Sequence, residues 1–360
     1  MLVTLDGDQF DLRPKVNAPS ALGIGIVGAG WVVEEAHLPA YRGAGMRVVG
    51  ITSRTGGRAR ALAARFGISR VYQSLSELLD DPGIAIVDIA VPPDEQPAIA
   101  LQAIAAGKHV LAQKPLALAL PEAQQVVTSA ARAGVRLAVN QNGRFDPSIN
   151  AARFLARDGL LGQRIVMTQM MHVNMDWQAY LSEPKYSRLM MLHMSIHHLD
   201  ELRWLFGTPR SISAALRHVP GDERAGENLA TYTVEYEDNF LAVCVDDGAD
   251  WSSRTGIEYR IVGTDAVMFG QIGWLPGWQS TLAYERRAQR GVFHELRFSR
   301  SWFPDAFAAT MAELMSAIEE QRAPSNSGDD NLDTMNLVFA AYESVARRGT
   351  IDLREFSRTQ

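Results

Sequence analysis

A chain of 360 residues, 47% hydrophobic and 21% charged, has the composition of a soluble globular protein with room for two domains. Its formal charge of -6 and the lack of any run of Lys and Arg argue against a nucleic-acid or anionic-membrane surface, and no run of about 18 apolar residues is present to span a bilayer. A single cysteine, Cys244, excludes an internal disulfide and fits a reducing cytoplasm; it lies in an alternating, strand-like segment as a small buried side chain.

Residues 1–21 carry acids early and lack the apolar core of a signal peptide, so they read as an N-terminal extension, either a mobile tail or an arm folded against another surface. From Leu22 the pattern is regular: GIGIV, a helix to about Arg42, VVGIT, a helix through RARALAARFG, then IAIVDIAV, HVLAQ and VRLAVN with helical segments between them. Short, nearly continuous Val/Ile runs bounded by Gly or Pro are strands buried on both faces. Residues 22–143 are therefore expected to form a Rossmann-type, doubly wound parallel sheet that binds its ligand beyond the carboxyl ends of the strands.

A literal G-x-G-x-x-G falls on Gly23, Gly25 and Gly28, but no strand precedes Gly23. A pyrophosphate needs a buried strand, a tight turn and a helix N-terminus with free N–H groups. Gly28-Ala29-Gly30 meets that requirement, with Trp31 opening the helix and Val33 at the third position, where Gly or Ala would pack closest. At the end of the second strand, where an acid would hold a free ribose 2′-hydroxyl, the sequence offers Ser53, Arg54 and Arg58 instead. Hydroxyls and arginines suit a 2′-phosphate, which favours NADP and leaves NAD open.

After Phe145 the pattern changes. A helix from about Pro147 to Arg157 leads into a strand ending near His172 and Asn174, and the loop that follows contains Trp177 among aromatic and polar residues suited to a polyol pocket or to plain loop packing. MMLHMSIHHLDELRWLFG at 190–207 brings His193 and His197 four residues apart, on one face of a helix. Three readings stay open on that spacing: a metal pair, an acid/base site, or a packed amphipathic helix. Successive alternating segments between 209 and 298 predict an open, mostly antiparallel sheet with one face covered, and two packed helices follow at 304–321 and 331–347. Residues 144–360 thus read as a second, α+β domain.

The stretch GKHVLAQKPL at 107–116 carries a more specific signal, together with Gly28 and Gly30 followed by HLPA, Val91-Pro92-Pro93 at a strand end, Asn140 to Phe145, and IHHLDELRWLFG. This ordered set resembles the glucose-fructose oxidoreductase/inositol dehydrogenase/rhizopine catabolism (Gfo/Idh/MocA) family over about residues 22–350. The family's Glu-Lys-Pro triplet is Gln113-Lys114-Pro115 here, and its Asp-x-x-x-His is His193-x-x-x-His197. The resemblance implies catalytic roles for Lys114 and His197. It places His193 where a carboxylate is usual, and an imidazole supplies no fixed negative charge there. It further implies cofactor contacts from Val91, Pro92, Pro93, Gln113 and Lys114, and substrate contacts from Asn142, Arg144, His193 and His197; Asn174 and Trp177 join the substrate candidates on their residue types, and no bound metal is expected.

The chemistry suits these residue types. A base of near-neutral pKa takes the hydroxyl proton as hydride leaves its carbon, and a cation steadies the developing alkoxide. The expected activity is NAD(P)-dependent hydride transfer to or from a hydroxyl carbon of a sugar, sugar acid or cyclic polyol, in a cytoplasmic homo-oligomer, a dimer or tetramer, paired through the open sheet face. The alternatives are a redox-neutral elimination, isomerisation or glycoside cleavage on tightly bound NAD(P), and a non-catalytic NAD(P)-binding regulator.

Overall fold

The computed structural model describes residues 1–10, 14, 16, 18–174, 183–253, 255–274 and 277–357. The chain forms two compact units, each assembled from separated stretches: Arg13–Asn142 with Phe303–Asp333, and Met1–Leu12 with Gly143–Trp302 and Thr334–Gln360.

The first unit is built on a parallel sheet. Among the described residues its spatial order is Arg70–Val71, Val48–Thr52, Ile24–Val27, Ile86–Ile89, His109–Ala112 and Leu137–Val139. Ile24–Val27 and Ile86–Ile89 are buried at every position, the mark of strands covered on both faces. Helices Gly56–Phe66, Gln96–Ala105 and Leu120–Ala133 connect successive strands. Asp305–Glu319 adds Phe307, Met311, Leu314 and Met315 to the core around Ile24, Ile26 and Ile51. The helix expected after the glycine turn takes a wider path, a π-helical turn over Val33–His37 followed by an α-helix at Leu38–Gly43. His37, the last residue of that π-helical turn, is wholly buried.

The second unit is organised on a mixed sheet. Its described strands run in the order Leu2–Asp6, Phe293–Arg297, Thr281–Arg286, Ala266–Ile272, Gly256–Gly263, Arg164–His172, Leu241–Asp247, Leu229–Glu235, Ser211–Arg217 and Ile351–Asp352. The alternating segments predicted between 209 and 298 form seven successive strands among the described residues, from Ser211–Arg217 to Phe293–Arg297. Pairing is antiparallel except for Arg164–His172 with Leu241–Asp247, and for the first strand with Phe293–Arg297. Alternation along Leu241–Asp247 puts Ala242, Cys244 and Asp246 on the covered side, so Cys244 is buried as its pattern implied.

Of the two forms considered for the N-terminal extension, the structure shows the arm. Leu2–Asp6 pairs in parallel with Phe293–Arg297 and occupies what would otherwise be a bare sheet edge. Phe10 then meets Phe154 at a ring separation of 5.4 Å. An isolated strand has no pattern of its own to announce its partner, which is why this segment read only as an extension.

Candidate active site

In the first unit, three neighbouring strands end side by side, and each hands over to a predicted site segment. Ile24–Val27 leads into Gly28-Ala29-Gly30, Ile86–Ile89 into Val91-Pro92-Pro93, and His109–Ala112 into Gln113-Lys114. Backbone bonds continue the ladder past the strand ends, from Gly28 N to Thr52 O at 2.9 Å, Ala90 N to Val27 O at 2.9 Å and Gln113 N to Ile89 O at 3.0 Å. Gly28 has φ +121°, and a Cβ there would run into the carbonyl oxygen of Ala90. A Cβ on Gly30, by contrast, would meet nothing within 4 Å. A turn that is closed behind and open in front is a cradle for a group approaching the backbone, and it is where a dinucleotide pyrophosphate fits.

Trp31 follows the cradle half-exposed, its ring stacked on Phe303 at 5.6 Å, while Val33 is fully buried in the π-helical turn. At the end of Val48–Thr52, Ser53 Oγ donates to Thr55 O, Arg54 reaches Glu95 at 3.0 Å and Arg58 approaches Glu34 at 3.8 Å. The two ion pairs lie at the surface and are of small individual worth.

The turn carrying Lys114 is held more firmly. The Lys114–Pro115 peptide is cis. The side-chain amide of Gln96, a residue to which sequence reasoning gave no role, donates to Gln113 O at 2.6 Å and Pro115 O at 2.9 Å. Gln113 Oε1 accepts from Lys114 N at 3.1 Å, and Gln113 Nε2 lies 2.9 Å from His37 Nε2. Burial pushes the Lys114 ammonium down to about 8.

In the second unit, the predicted regular helix over the histidines is broken into two kinds of turn. Met191–Ser195 is π-helical and Ile196–Phe206 is α-helical, so His193 lies in the widened turn and His197 in the first turn of the α-helix. Both are buried. Tyr186 meets the His193 ring edge-on at 5.7 Å, and Trp302 meets the His197 ring edge-on at 5.4 Å. Trp302 was not foreseen, since no local pattern ties it to a helix a hundred residues earlier. The third histidine, His198, is anchored to the sheet: its Nδ1 lies 2.8 Å from Asp246 Oδ1, and Tyr232 OH donates to the other oxygen at 3.0 Å.

The same helix is pinned from other sides. Asp200 receives two bonds from Arg144, Nε to Oδ2 at 2.7 Å and NH2 to Oδ1 at 2.5 Å, and a third from Thr334 at 2.9 Å. Arg144, expected at the substrate, is 2% exposed and makes these two bonds through its guanidinium fork. Glu201 accepts from Gln169 at 3.1 Å, and burial raises its carboxyl to about 7. Its carboxylate packs against the Cα of Gly143, where any side chain would collide. Asn142 is buried in the turn Asn142–Phe145, Asn174 forms an isolated bridge to Ala249 beyond the strand Arg164–His172, and Trp177 lies outside the described residues. No group of three or more His, Cys, Asp or Glu suited to a metal occurs among the described residues, and none of their helices is long and apolar enough to cross a membrane.

Two family models match the chain in order. One describes the NAD-binding Rossmann fold of the Gfo/Idh/MocA oxidoreductases, over residues 22–141, and the other the family's C-terminal alpha/beta domain, over residues 172–353. The chain belongs to the Gfo/Idh/MocA oxidoreductase family. It is an NAD(P)-dependent oxidoreductase. Among curated relatives, D-apiose dehydrogenase of Paraburkholderia graminis is 28% identical, the match covering 91% of this chain and 89% of that protein. The 1,5-anhydro-D-fructose reductase of Ensifer adhaerens is 26% identical over 89% and 96% of the two chains. An Agrobacterium radiobacter oxidoreductase, solved with NAD+, L-tartaric acid and magnesium, superposes with a TM-score of 0.82 at 23% identity, covering 93% of this chain and 99% of the other, a likeness of fold.

The cradle gives a first test. Gly28→Ala places a Cβ against the Ala90 carbonyl at a backbone angle that alanine rarely adopts. NADH and NADPH affinity, followed by fluorescence titration, should weaken at least about tenfold, and the urea midpoint should fall by the equivalent of about 1–3 kcal/mol. Unchanged affinity would mean that the first turn does not hold the cofactor.

Proposed function

We propose that this oxidoreductase interconverts a secondary hydroxyl and a carbonyl on a sugar, sugar acid or cyclic polyol. The observation that carries the reading is the convergence of Gly28, Val91 and Lys114 at the carboxyl ends of three adjacent strands of one parallel sheet, with the relatives' activities on apiose and anhydrofructose indicating the substrate class. The bound nicotinamide supplies the hydride acceptor or donor. Backbone N–H groups at Gly28-Ala29-Gly30 and the start of the following helix hold the pyrophosphate, and Val91, Pro92, Pro93 and Gln113 line the nicotinamide end. His197 takes the hydroxyl proton during oxidation and returns it during reduction, while Lys114, as ammonium, donates to the oxygen and steadies its developing negative charge. His193 hydrogen-bonds a second substrate hydroxyl, and Asn142 and Asn174 supply further polar contacts.

The reading is tested by following NAD(P)H absorbance across a panel of aldoses, lactones, inositols and sugar acids. Turnover of at least one of these with stoichiometric reduction or oxidation is expected. Product formed with no net change in cofactor would instead identify a redox-neutral enzyme, and cofactor binding without any turnover a regulator.

For the cofactor's ribose we propose a preference for NADP, supported by Ser53, Arg54 and Arg58 beyond the strand Val48–Thr52 and the lack of an acid in that loop. The double variant Arg54→Ala/Arg58→Ala should lower kcat/KM for NADP about tenfold or more and change that for NAD by less than about twofold. Equal losses for both cofactors would remove these residues from discrimination.

We also propose that the chain self-associates through the sheet face carrying Thr168, Met170, Val243 and Val245, which lie side by side on paired strands with Met170 45% exposed. Light scattering should report a dimer or tetramer, and a monomer at micromolar concentration would refute it.

A further inference from the structure

Gln113 joins a histidine ring to a backbone amide, and its two ends cannot be exchanged. Lys114 N–H can only donate, so the group facing it at 3.1 Å must be the amide oxygen of Gln113. The amide nitrogen therefore faces His37 Nε2 at 2.9 Å. That nitrogen brings two protons and no lone pair, so Nε2 of His37 must be bare. On the other side of the ring, Nδ1 lies 2.7 Å from Asp88 Oδ2, which also accepts from Tyr41 OH at 2.9 Å. Nδ1 consequently carries the proton. His37, Asp88 and Tyr41 are all fully buried, and the ring is further enclosed by Phe307 at 5.1 Å and Asn140 Nδ2 at 3.4 Å from Nε2.

We propose that His37, held by Asp88 as the neutral Nδ1–H tautomer, is a positioning residue for the catalytic turn. Its bare Nε2 fixes the orientation of the Gln113 amide, and the Gln113 oxygen in turn fixes the backbone of Lys114. The relay explains how glutamine serves at position 113. A carboxylate there would bring acceptors to both contacts, and Nε2 would have to gain a proton, leaving an imidazolium between Asp88 and the new acid. The choice of residue at 113 and the protonation of His37 are thus one property, read from atoms at the strand ends Ile86–Ile89 and His109–Ala112.

The kinetic arm of the test rests on the dehydrogenase reading, and the spectroscopic arm is independent of it. In protein labelled with 15N-histidine, long-range 1H–15N correlation spectra should show His37, identified by the signal lost in His37→Gln or perturbed in Tyr41→Phe, with a protonated Nδ1 and a bare Nε2. In Gln113→Glu both nitrogens should be protonated. A wild-type His37 protonated on Nε2, or a Gln113→Glu ring that keeps Nε2 bare, overturns the proposal, and the wild-type spectrum decides even where a variant fails to fold. Kinetically, His37→Leu, which removes the ring nitrogen that the Gln113 amide faces, should lower kcat about tenfold with KM for the cofactor nearly unchanged. His37→Gln, which keeps an acceptor for Gln113 and a donor for Asp88, should recover most of that loss. Equal kcat in the leucine and wild-type proteins overturns the positioning role. If no substrate in the polyol panel turns over, the dehydrogenase reading falls while the spectra still decide the tautomer.

Discussion

His197→Ala should lower kcat by about 10³, or about 4 kcal/mol of transition-state stabilisation, with NAD(P)H affinity retained. The expectation follows from where the ring sits. It is buried in the first α-helical turn after a π-helical one, and Trp302 stands edge-on to it at 5.4 Å, so its position is set by packing from outside its own helix. The rest of the helix is independently anchored, through Asp200 to Arg144, His198 to Asp246 and Glu201 to Gln169. Truncating His197 therefore removes the imidazole without dismantling its support, and far-UV circular dichroism and the urea midpoint should show a folded protein. Stopped-flow measurement of hydride transfer isolates the chemical step from product release. A variant within about threefold of wild type would show that the base lies elsewhere.

Much of this arrangement was legible in the sequence, for identifiable reasons. Strands buried on both faces give continuous Val/Ile runs, and strands buried on one face give strict alternation, so both sheets announced themselves through Ile24–Val27, Ile86–Ile89 and the series from Ser211 to Arg297. Requiring a strand before the turn pointed to Ile24–Val27, and the structure has that strand, with Gly25 inside it and Gly28 just past its end. What stayed hidden depends on contacts distant in sequence. The buried set of His37, Asp88 and Gln113 draws on positions 51 and 76 residues apart, and each residue taken singly looks like an ordinary helix, strand or turn position. Trp302 beside His197 and Gln96 beneath the Lys114 turn were invisible for the same reason. Arg144 stood in a recognisable motif, but the motif does not disclose that its guanidinium pairs with Asp200 of the distant helix Ile196–Phe206. The π-helical turns at Val33–His37 and Met191–Ser195 carry no compositional mark at all, yet each holds a histidine of the proposed machinery.

Lys114→Met should lower kcat by about 10² to 10³, the cost of losing a preorganised cation at a developing alkoxide. The more discriminating result is the pH dependence. Burial lowers the Lys114 ammonium to about 8, because the charged form is the one that loses hydration. Lysine is cationic below that value, so kcat for oxidation should hold up to about pH 8 and decline as pH rises through it. If Lys114 were instead the proton acceptor, activity would rise through the same interval, and the sign of the alkaline limb separates the two roles. Lys114→Arg sharpens the test: a guanidinium stays charged past pH 12, so the variant, slower because its planar fork fits a point-charge site poorly, should lose the decline near pH 8 altogether. The Lys114–Pro115 segment keeps its three carbonyl contacts with Gln96 in both variants, since those bonds use backbone oxygens of Gln113, Pro115 and Leu116, and the fold of the turn should survive the substitutions. An alkaline decline that persists unchanged in the arginine variant would assign it to another group and remove Lys114 as the cation of the reaction.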